Sequence, residues 1–179
     1  MEDTFRIRRA APAEAHSLVE ELADLLIDCV EGGASVGFMW PLPRERALAF
    51  WRGVADAVAG GRRVLLVAGD DAGLVGTVQL VLDLPDNQPH RGDVVKMLVR
   101  RRARRRGVAF ALLRALEAEA WREGRSVLVL DAVTGGDAER LYARAGWERV
   151  GSVPRYALMP DGRFCATTFM HRQLGGTSR

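Results

Sequence analysis

Apolar residues recur along the chain at two spacings, one typical of helices and one typical of strands. Residues 12–30, 44–58 and 107–123 carry them three and four positions apart, which predicts amphipathic helices. Shorter runs are alternately or continuously apolar, as strands are. These predicted strands are residues 5–9, 63–68, 74–82, 93–99, 127–130, 147–150 and 164–170. With a short helix at 137–145, the order β-α-α-β-β-β-α-β-α-β-β predicts a mixed α/β sheet in one domain.

Glycine-rich stretches mark the boundaries between these segments. Gly32 and Gly33 end the first predicted helix, and residues 69–73, G-D-D-A-G, predict a hairpin between two strands. Residues 32–43 form a long loop with apolar side chains, an arrangement that often marks a binding loop. We therefore expect this loop to cover a substrate pocket. Its large apolar residues include Phe38, Met39 and Trp40, the candidates to contact a substrate.

Composition limits the classes of protein to consider. The chain has 179 residues, 48% of them hydrophobic and 27% charged, which is ordinary for a globular domain that buries its own core. The N-terminus lacks the basic and apolar regions of a signal peptide, and no apolar run reaches the roughly 18 residues of a membrane span. We therefore expect a cytoplasmic, single-domain protein over residues 1–179, with its core at about 5–173 and no membrane partner.

The cysteines and histidines do not predict a metal site. Cys29 and Cys165 are far apart, and neither belongs to a C-x-x-C pair. Cys29 lies in an apolar helical stretch, so we expect a buried, inert thiol there. The three histidines show no ligand spacing. His90 lies near the candidate site described below and is a candidate to line it, although a single loop histidine is more often solvated.

The most informative segment is a run of arginines before the third long helix. Six of the seven residues from 100 to 106 are arginine, and Gly107 follows at the start of the helix. The first N–H groups of a helix lack internal partners and carry partial positive charge. A glycine lets an anion approach the backbone, and arginines add charge-assisted hydrogen bonds to phosphate. The order strand, basic loop, glycine, helix therefore predicts a diphosphate-binding cradle.

Two other interpretations of the arginine run stay open from the residues alone. One is a solvated surface run, since a charged run by itself is weak evidence of binding. The other is a nucleic-acid-binding patch. Nucleic-acid binding favours aromatic residues among the basic ones for base stacking, and residues 100–106 contain none. We therefore expect no nucleic-acid partner.

Several segments carry motifs in an order that one enzyme superfamily shares. Residues 104–109, R-R-R-G-V-A, are similar to the pattern R/Q-x-x-G-x-G/A, and residues 97–99 are similar to the strand before it. Residues 138–147, A-E-R-L-Y-A-R-A-G-W, resemble the element A-x-x-L-Y-x-x-x-G-F. On these motifs the chain is identified as a member of the GNAT superfamily of N-acetyltransferases. Within it, the segments that resemble the tabtoxin-resistance acetyltransferases are residues 32–39, 130–131 and 160–163.

This resemblance implies a fold and a co-substrate. The fold is a mixed, mostly antiparallel sheet of six or seven strands, in which strands 93–99 and 127–130 are parallel, splay apart and are connected by helix 107–123. The co-substrate is acetyl-CoA, with its pyrophosphate on the N–H groups of residues 105–109 and its pantetheine arm beside residues 97–99. The implied acetyl-CoA-binding residues are Met97, Leu98, Val99, Arg104, Arg105, Arg106, Gly107, Val108 and Ala109.

The chain departs from the superfamily's pattern at two positions. Gly135 stands six residues before Leu141, where the superfamily often has an asparagine, so any role of that asparagine is absent or moved. Ala109 ends the glycine motif, and the pattern permits alanine there.

The candidate catalytic residues follow from the demands of acetyl transfer to an amine: a proton acceptor, a stabilised carbonyl oxygen and a proton donor for the thiolate. Asp93 at the start of one strand and Asp131 at the end of the next are the candidate acceptors, and the resemblance implies acids at both places. Tyr142 is the candidate donor, a role that the L-Y element implies. The oxyanion donor is expected to be the backbone N–H of Leu98 or Val99, if a β-bulge opens that strand.

Each of these three side chains also has a purely structural interpretation. Asp131 is typical of a helix cap or a turn, and Asp93 of an exposed charge at a strand edge. Tyr142 is typical of a packed core tyrosine. These alternatives stay open from the sequence.

We predict an acetyl-CoA-dependent N-acetyltransferase that acts on the amine of a small molecule, amino-acid-like or an antibiotic or toxin. Alternatives are a protein N-acetyltransferase and a non-catalytic acyl-CoA-binding sensor. Loop 32–43 favours a closed pocket over an open peptide groove, and a sensor would be expected to lose Tyr142 and the strand-end acids. The expected partner is the small-molecule amine, and the expected state is a monomer or homodimer. The candidate substrate-binding residues are Phe38, Met39, Trp40, Asp93 and Asp131.

Overall fold

A computed structural model of the chain describes residues 5–175 and contains one seven-stranded sheet with helices on both faces. The strands are β1 (Arg6–Arg9), β2 (Arg63–Asp70), β3 (Gly73–Val81), β4 (Arg91–Val99), β5 (Val127–Val133), β6 (Glu148–Leu158) and β7 (Phe164–Gln173). The α-helices are α1 (Val19–Glu31), α2 (Arg44–Ala59), α3 (Val108–Arg122) and α4 (Asp137–Arg144). The predicted order of elements is confirmed.

The strand order in the sheet is β1-β2-β3-β4-β5-β7-β6, and all neighbours are antiparallel except β4 and β5. Helix α3 connects these two parallel strands. Their pairing covers only residues 91–93 of β4 and 127–129 of β5, after which the strands separate. The predicted mixed sheet with one splayed parallel pair is therefore confirmed.

Alternation along the central strands sends side chains to two separate cores. Leu65 and Val67 of β2 pack with residues of α1 and α2, and we call this side of the sheet the α1/α2 face. Val64 and Leu66 pack with residues of α3, on the opposite α3 face. Successive strand residues point to opposite faces of the sheet. The face of a strand residue can therefore be read from the core in which its neighbours pack.

Three predicted segments differ from the structure. The first helix begins at Val19 and is preceded by a 3₁₀ turn at Ala15–Leu18, so its predicted start at residue 12 is wrong. Strand β5 continues to Val133, because its pairing with β7 extends that far. Strand β6 continues to Leu158 although it contains Pro154, since β6 is an edge strand whose register with β7 shifts between residues 153 and 157.

The burial of Cys29 and the length of the helices bear on two predictions made from the sequence. Cys29 is buried, and burial raises the pKa of its thiol to about 11, as expected of an inert cysteine. Within residues 5–175, no helix combines the length and the apolarity that crossing a membrane requires.

A buried carboxylate fixes the strand that follows α4 against α3, and its removal is expected to destabilise the fold. Glu117 accepts hydrogen bonds from Trp147 Nε1 at 3.0 Å and from Arg114 Nη1 at 2.7 Å. Glu117→Ala leaves the indole N–H of a buried tryptophan without an acceptor, so we expect the free energy of unfolding to fall by about 2–3 kcal/mol. Urea denaturation measures the change. Arg114→Ala, at an exposed partner, is the control and should cost less than about 1 kcal/mol. Equal losses in the two variants would contradict this assignment.

Candidate active site

The separation of β4 and β5 creates an opening at the carboxyl ends of two adjacent strands. Asp93 and Val129 are the last residues that pair between the strands. Beyond Asp93, the side of β4 that faces β5 pairs with no strand in residues 5–175, and the Val99 carbonyl there accepts hydrogen bonds from Cys29 Sγ at 3.4 Å and Arg104 Nε at 3.5 Å. The other backbone groups on this side are available to an extended ligand. Such openings at strand ends are the usual place of ligand sites in α/β sheets.

A β-bulge distorts β4 inside this opening. The register with β3 runs from Val95↔Gln79 to Leu98↔Thr77, so two residues of β4, Lys96 and Met97, stand opposite one residue of β3. Lys96 has φ 54°, in the left-handed region that is rare for a residue with a side chain. The bulge that we named as the condition for an oxyanion donor in β4 is therefore present. The role of the Leu98 or Val99 N–H remains a prediction.

The start of α3 lies directly after β4 and is open to solvent. Gly107 is the N-cap with φ 81°, and a Cβ placed on it would meet no atom within 4 Å. Gly107 is exposed, whereas Val108 is buried and Ala109 is half-buried. Because the first turn of α3 has no acidic residue, its free N–H groups and partial positive charge are accessible to an anion.

The structure divides the arginine run into two groups, and one group fastens the loop to the fold. Arg101 binds Asp28 at 2.8 Å and also pairs with Glu31, both at the end of α1. Asp70 at the end of β2 pairs with Arg102 at 2.7 Å and with Arg106 at 3.4 Å. These guanidinium groups lower the pKa of Asp70 well below its ordinary value. Arg106, one of the predicted phosphate ligands, therefore already has a carboxylate partner.

Arg104 and Arg105 form the other group, and Arg104 Nε donates a hydrogen bond to the Val99 carbonyl at 3.5 Å. Arg104 and Arg105 are exposed, and neither forms an ion pair with any residue from 5 to 175. Arg105 has φ 63°, two residues before Gly107. Arg104 and Arg105 are thus the predicted arginines that stand beside the start of α3 with their charge still available.

The two candidate acids lie on the same face of the sheet. Val94 and Leu130 pack on the α3 face, so their neighbours Asp93 and Asp131 lie on the α1/α2 face. Asp93 is the third residue of β4 rather than its first, and its carboxylate pairs with Arg91. Asp93 is half-buried in a central strand, so its interpretation as an exposed charge at a strand edge is wrong.

Asp131 is the more exposed of the two acids. It is exposed and lies inside β5, two residues beyond the last parallel pair, so its interpretation as a helix cap or turn residue is wrong. It forms no ion pair with any other residue in the described range 5–175. Its carboxylate is thus placed at the opening without a partner of its own.

Tyr142 in α4 is buried, with 4% of its surface exposed, and its ring lies 5.9 Å from that of Trp147. Burial raises the pKa of the phenol, and the negative charge of Asp131 raises it further. The hydroxyl forms no hydrogen bond to any residue between 5 and 175. The phenol is therefore held in its protonated form, as a general acid must be before it acts.

The loop between α1 and α2 reaches across to the turn between β6 and β7. Ser35 Oγ donates a hydrogen bond to the Leu158 carbonyl at 3.1 Å, and Trp40 N–H donates to the Pro160 carbonyl at 3.1 Å. Phe38 is half-buried with its ring 5.3 Å from that of Phe50. The other two predicted substrate-binding residues of this loop, Met39 and Trp40, are exposed. These two hydrogen bonds join the α1–α2 loop to the end of β6 and the turn after it.

Sequence reasoning missed several polar residues on this face. Lys96 lies on it, with its ammonium near the rings of Phe38 and Phe50. Gln79 is buried, accepts a hydrogen bond from Arg63 Nη1 at 2.6 Å, and leaves its Nε2 without a partner in the described part of the chain. The sequence signal for Lys96 was a lysine within an otherwise apolar stretch of β4. The residues that surround its side chain come from distant segments, so the sequence did not reveal them.

The histidines do not contribute a ligand site. The His90 carbonyl accepts hydrogen bonds from the N–H groups of Ser126 and Val127 at 2.8 and 3.1 Å, so His90 helps to hold the start of β5. Across residues 5–175, no group of three or more His, Cys, Asp or Glu side chains is arranged to hold a metal ion.

The chain matches known proteins in sequence and in structure. Residues 19–147 match the model of the acetyltransferase (GNAT) family. An uncharacterized N-acetyltransferase from the hisH-hisA intergenic region of Azospirillum brasilense is 33% identical over 115 residues, which cover 63% of this chain and 67% of that protein. A GCN5-related N-acetyltransferase from Kribbella flavida superposes with a TM-score of 0.76 at 24% identity, covering 95% of this chain and 98% of that one.

A second similar structure is a phosphinothricin acetyltransferase from Sinorhizobium meliloti in complex with AcCoA. It superposes with a TM-score of 0.75 at 20% identity, covering 98% of this chain and 90% of that one. At this level of identity the two structural matches concern the fold.

Proposed function

We propose that this chain, which belongs to the acetyltransferase (GNAT) family and is an acyltransferase, transfers the acetyl group of acetyl-CoA to the amine of a small molecule. The observation that carries the proposal is the separation of the parallel strands β4 and β5, together with the start of α3 at Gly107, which follows β4. We also expect a cytoplasmic enzyme that is a monomer or a homodimer.

The residues at the opening fit acetyl-CoA. The free N–H groups at the start of α3, flanked by Arg104 and Arg105, suit a pyrophosphate. The unpaired side of β4 at residues 97–99 suits the two amides of a pantetheine arm, which can pair with it as a further strand does. When bound, acetyl-CoA supplies a thioester, whose carbonyl carbon is the electrophile. The complex of the similar Sinorhizobium meliloti enzyme with AcCoA supports this fit.

The side chains around the opening supply the proton transfers of the reaction. An alkylammonium has a pKa near 10.4, so an acceptor must take its proton before the nitrogen can attack. Asp131 is our main candidate, with Asp93 acting through water beside its partner Arg91. Tyr142 is the candidate proton donor to the thiolate, and a backbone N–H of the bulged strand, at Leu98 or Val99, is the candidate oxyanion donor.

A small acceptor is favoured over a peptide because the α1–α2 loop and the β6–β7 turn are joined by hydrogen bonds. A peptide substrate needs an open groove, whereas a bridged pair of loops encloses a pocket. These two connections contain two of the three segments in which the sequence resembles tabtoxin-resistance enzymes, residues 32–39 and 160–163. The structural similarity to a phosphinothricin acetyltransferase also supports a small-molecule amine as acceptor.

Release of free thiol from acetyl-CoA in the presence of a panel of amines tests the proposal directly. The panel contains amino acids, amino-acid analogues, simple amines and a peptide with a free N-terminus. We expect turnover with members of the small-molecule group and little with the peptide. Preferential turnover of the peptide would favour a protein N-acetyltransferase, and no turnover with any acceptor would contradict the proposal.

Neutralising the acids is expected to weaken use of the amine but not of acetyl-CoA. Asp131→Asn should raise KM for the amine by about 10- to 100-fold, because a charge-assisted hydrogen bond contributes about 1.5–3 kcal/mol. Asp93→Asn should have a smaller effect, since Asp93 already pairs with Arg91. Steady-state kinetics with each substrate varied in turn measures both constants. The double variant combines Asp93→Asn with Asp131→Asn. If it retains the wild-type KM and kcat for the amine, the acids are structural and the acceptor site must lie in loop 32–43.

A further inference from the structure

Lys96 occupies a position where a lysine is costly. Its backbone lies in the left-handed region, with φ 54°, at the bulge of β4. This conformation costs a residue with a side chain about 1–2 kcal/mol and persists only where its surroundings impose it. Strain of this kind is concentrated at functional sites.

The Lys96 side chain is half-buried beside two aromatic rings, and the Arg46 guanidinium also lies 5.8 Å from the centroid of one of them, Phe38. Its Nζ is 5.6 Å from the centroid of the Phe50 ring and 6.0 Å from that of Phe38. A Cβ placed on Gly37 would lie 3.5 Å from the same atom, so the α1–α2 loop passes directly over it. Lys96 forms no hydrogen bond or ion pair with any residue in the described range 5–175. Two aromatic faces offset only part of the cost of removing an ammonium from water.

The charges around Lys96 leave room for an anion. Burial lowers the pKa of the ammonium, the negative charge of Asp131 acts against that shift, and the positive charge of Arg63 adds to it. Asp131 and Lys96 lie on the two separated arms of the parallel pair and do not come within the 4.0 Å of an ion pair. The α1/α2 face therefore holds a separated cation and anion, one on each arm of the opening.

We propose that Lys96 binds a carboxylate of the acceptor, so that the acceptor is an amine that also carries a carboxylate. This inference rests on the proposed function and specifies the substrate class of the same site. A zwitterion places its ammonium toward Asp131 and its carboxylate toward Lys96, which gives each side chain an opposite charge. A polyamine instead brings a second cation against Lys96 in a poorly solvated pocket, and like charges there disfavour binding.

Matched pairs of acceptors with and without the carboxylate test this proposal. Phenylalanine and phenethylamine, tyrosine and tyramine, and lysine and cadaverine are assayed by thiol release from acetyl-CoA. In the wild-type enzyme we expect a higher kcat/KM for the amino acid of at least one pair. In Lys96→Met, which keeps the length of the side chain and removes its charge, the ratio of kcat/KM between the members of that pair should fall by about 10- to 100-fold. The fall should arise mainly from KM for the amino acid.

Two controls separate the loss of charge from a disturbed pocket. Lys96→Arg keeps the charge and should retain most of the preference for the amino acid. The dissociation constant of acetyl-CoA, measured by calorimetry, should be unchanged in Lys96→Met if the bulge and the cofactor cradle remain intact. Because each ratio compares one pair of acceptors in two enzymes, differences in basicity between amino acid and amine cancel.

Three results would overturn the inference. Equal losses of kcat/KM for both members of each pair would give Lys96 a structural role. A wild-type preference for the decarboxylated amines would show that the pocket selects against a carboxylate, while the proposed acetylation of a small amine would still stand. A wild-type protein that acetylates no small amine at all would overturn the proposed function together with this inference.

Discussion

Replacing Tyr142 by phenylalanine is expected to lower kcat by about 10- to 1000-fold while leaving the affinity for acetyl-CoA almost unchanged. The phenol is buried and Asp131 adds negative charge nearby, and both raise the pKa of Tyr142. The hydroxyl thus keeps its proton until a stronger base, the departing thiolate, forms beside it. Phenylalanine keeps the ring packing against Trp147 but cannot donate a proton.

Single-turnover kinetics with excess enzyme, together with calorimetry of acetyl-CoA, measures this effect. Tyr156, the other of the two tyrosines in the chain, is exposed, and Tyr156→Phe is the matched control with kcat within about twofold of wild type. If chemistry limits the rate and kcat is unaltered in Tyr142→Phe, Tyr142 is a packed core residue and not the proton donor.

The raised pKa of Tyr142 also predicts a pH profile. A group whose pKa is raised stays protonated to higher pH than usual, so loss of the general acid should not begin near the ordinary phenol value of about 10. We expect the wild-type kcat to show no decrease with a midpoint at that value. A clear decrease with an apparent pKa near 10 that disappears in Tyr142→Phe would contradict the assigned environment.

A negative charge at Gly107 is expected to weaken acetyl-CoA binding by about 100-fold or more. Gly107 is exposed at the start of α3, where free N–H groups and the partial positive charge of the helix face an anion. An aspartate there competes for those N–H groups and repels the pyrophosphate. The loss of one or more charge-assisted bonds, at about 1.5–3 kcal/mol each, accounts for the expected magnitude.

The comparison of Gly107→Asp with Gly107→Asn isolates that charge. Both side chains tolerate the left-handed backbone that Gly107 adopts, with φ 81°, better than other residues with a Cβ do. Calorimetry should give a modest loss of affinity for the asparagine variant and a much larger loss for the aspartate variant. Equal affinities in the two variants would show that the diphosphate is bound elsewhere. Circular dichroism checks that both variants retain their helix content.

Much of the fold was predictable from the sequence because its signals are local. The periodicity of apolar residues specified the order of strands and helices, and Gly107 after the arginine run predicted a glycine at the start of a helix, where the structure has it. Each of these features depends on residues that are close in sequence, within one or two helical turns or one or two strands. Two strand ends were predicted wrongly because pairing with a distant strand decides them. Residues 132–133 are strand because β7 continues beside them, and β6 passes Pro154 because only one of its sides is paired.

What the sequence by itself determined is the order of elements around the candidate site, a strand followed by a helix that begins after a glycine, and the candidate residues, one tyrosine and two acids. Which charges remain available at that site was decided by tertiary contacts. Arg102 and Arg106 meet Asp70, and Arg91 meets Asp93, whereas Asp131 and Lys96 have no such partner in the range 5–175. The physical reason is that charge, unlike hydrophobic periodicity, acts through its neighbours in space, and chain segments far apart in sequence supply those neighbours.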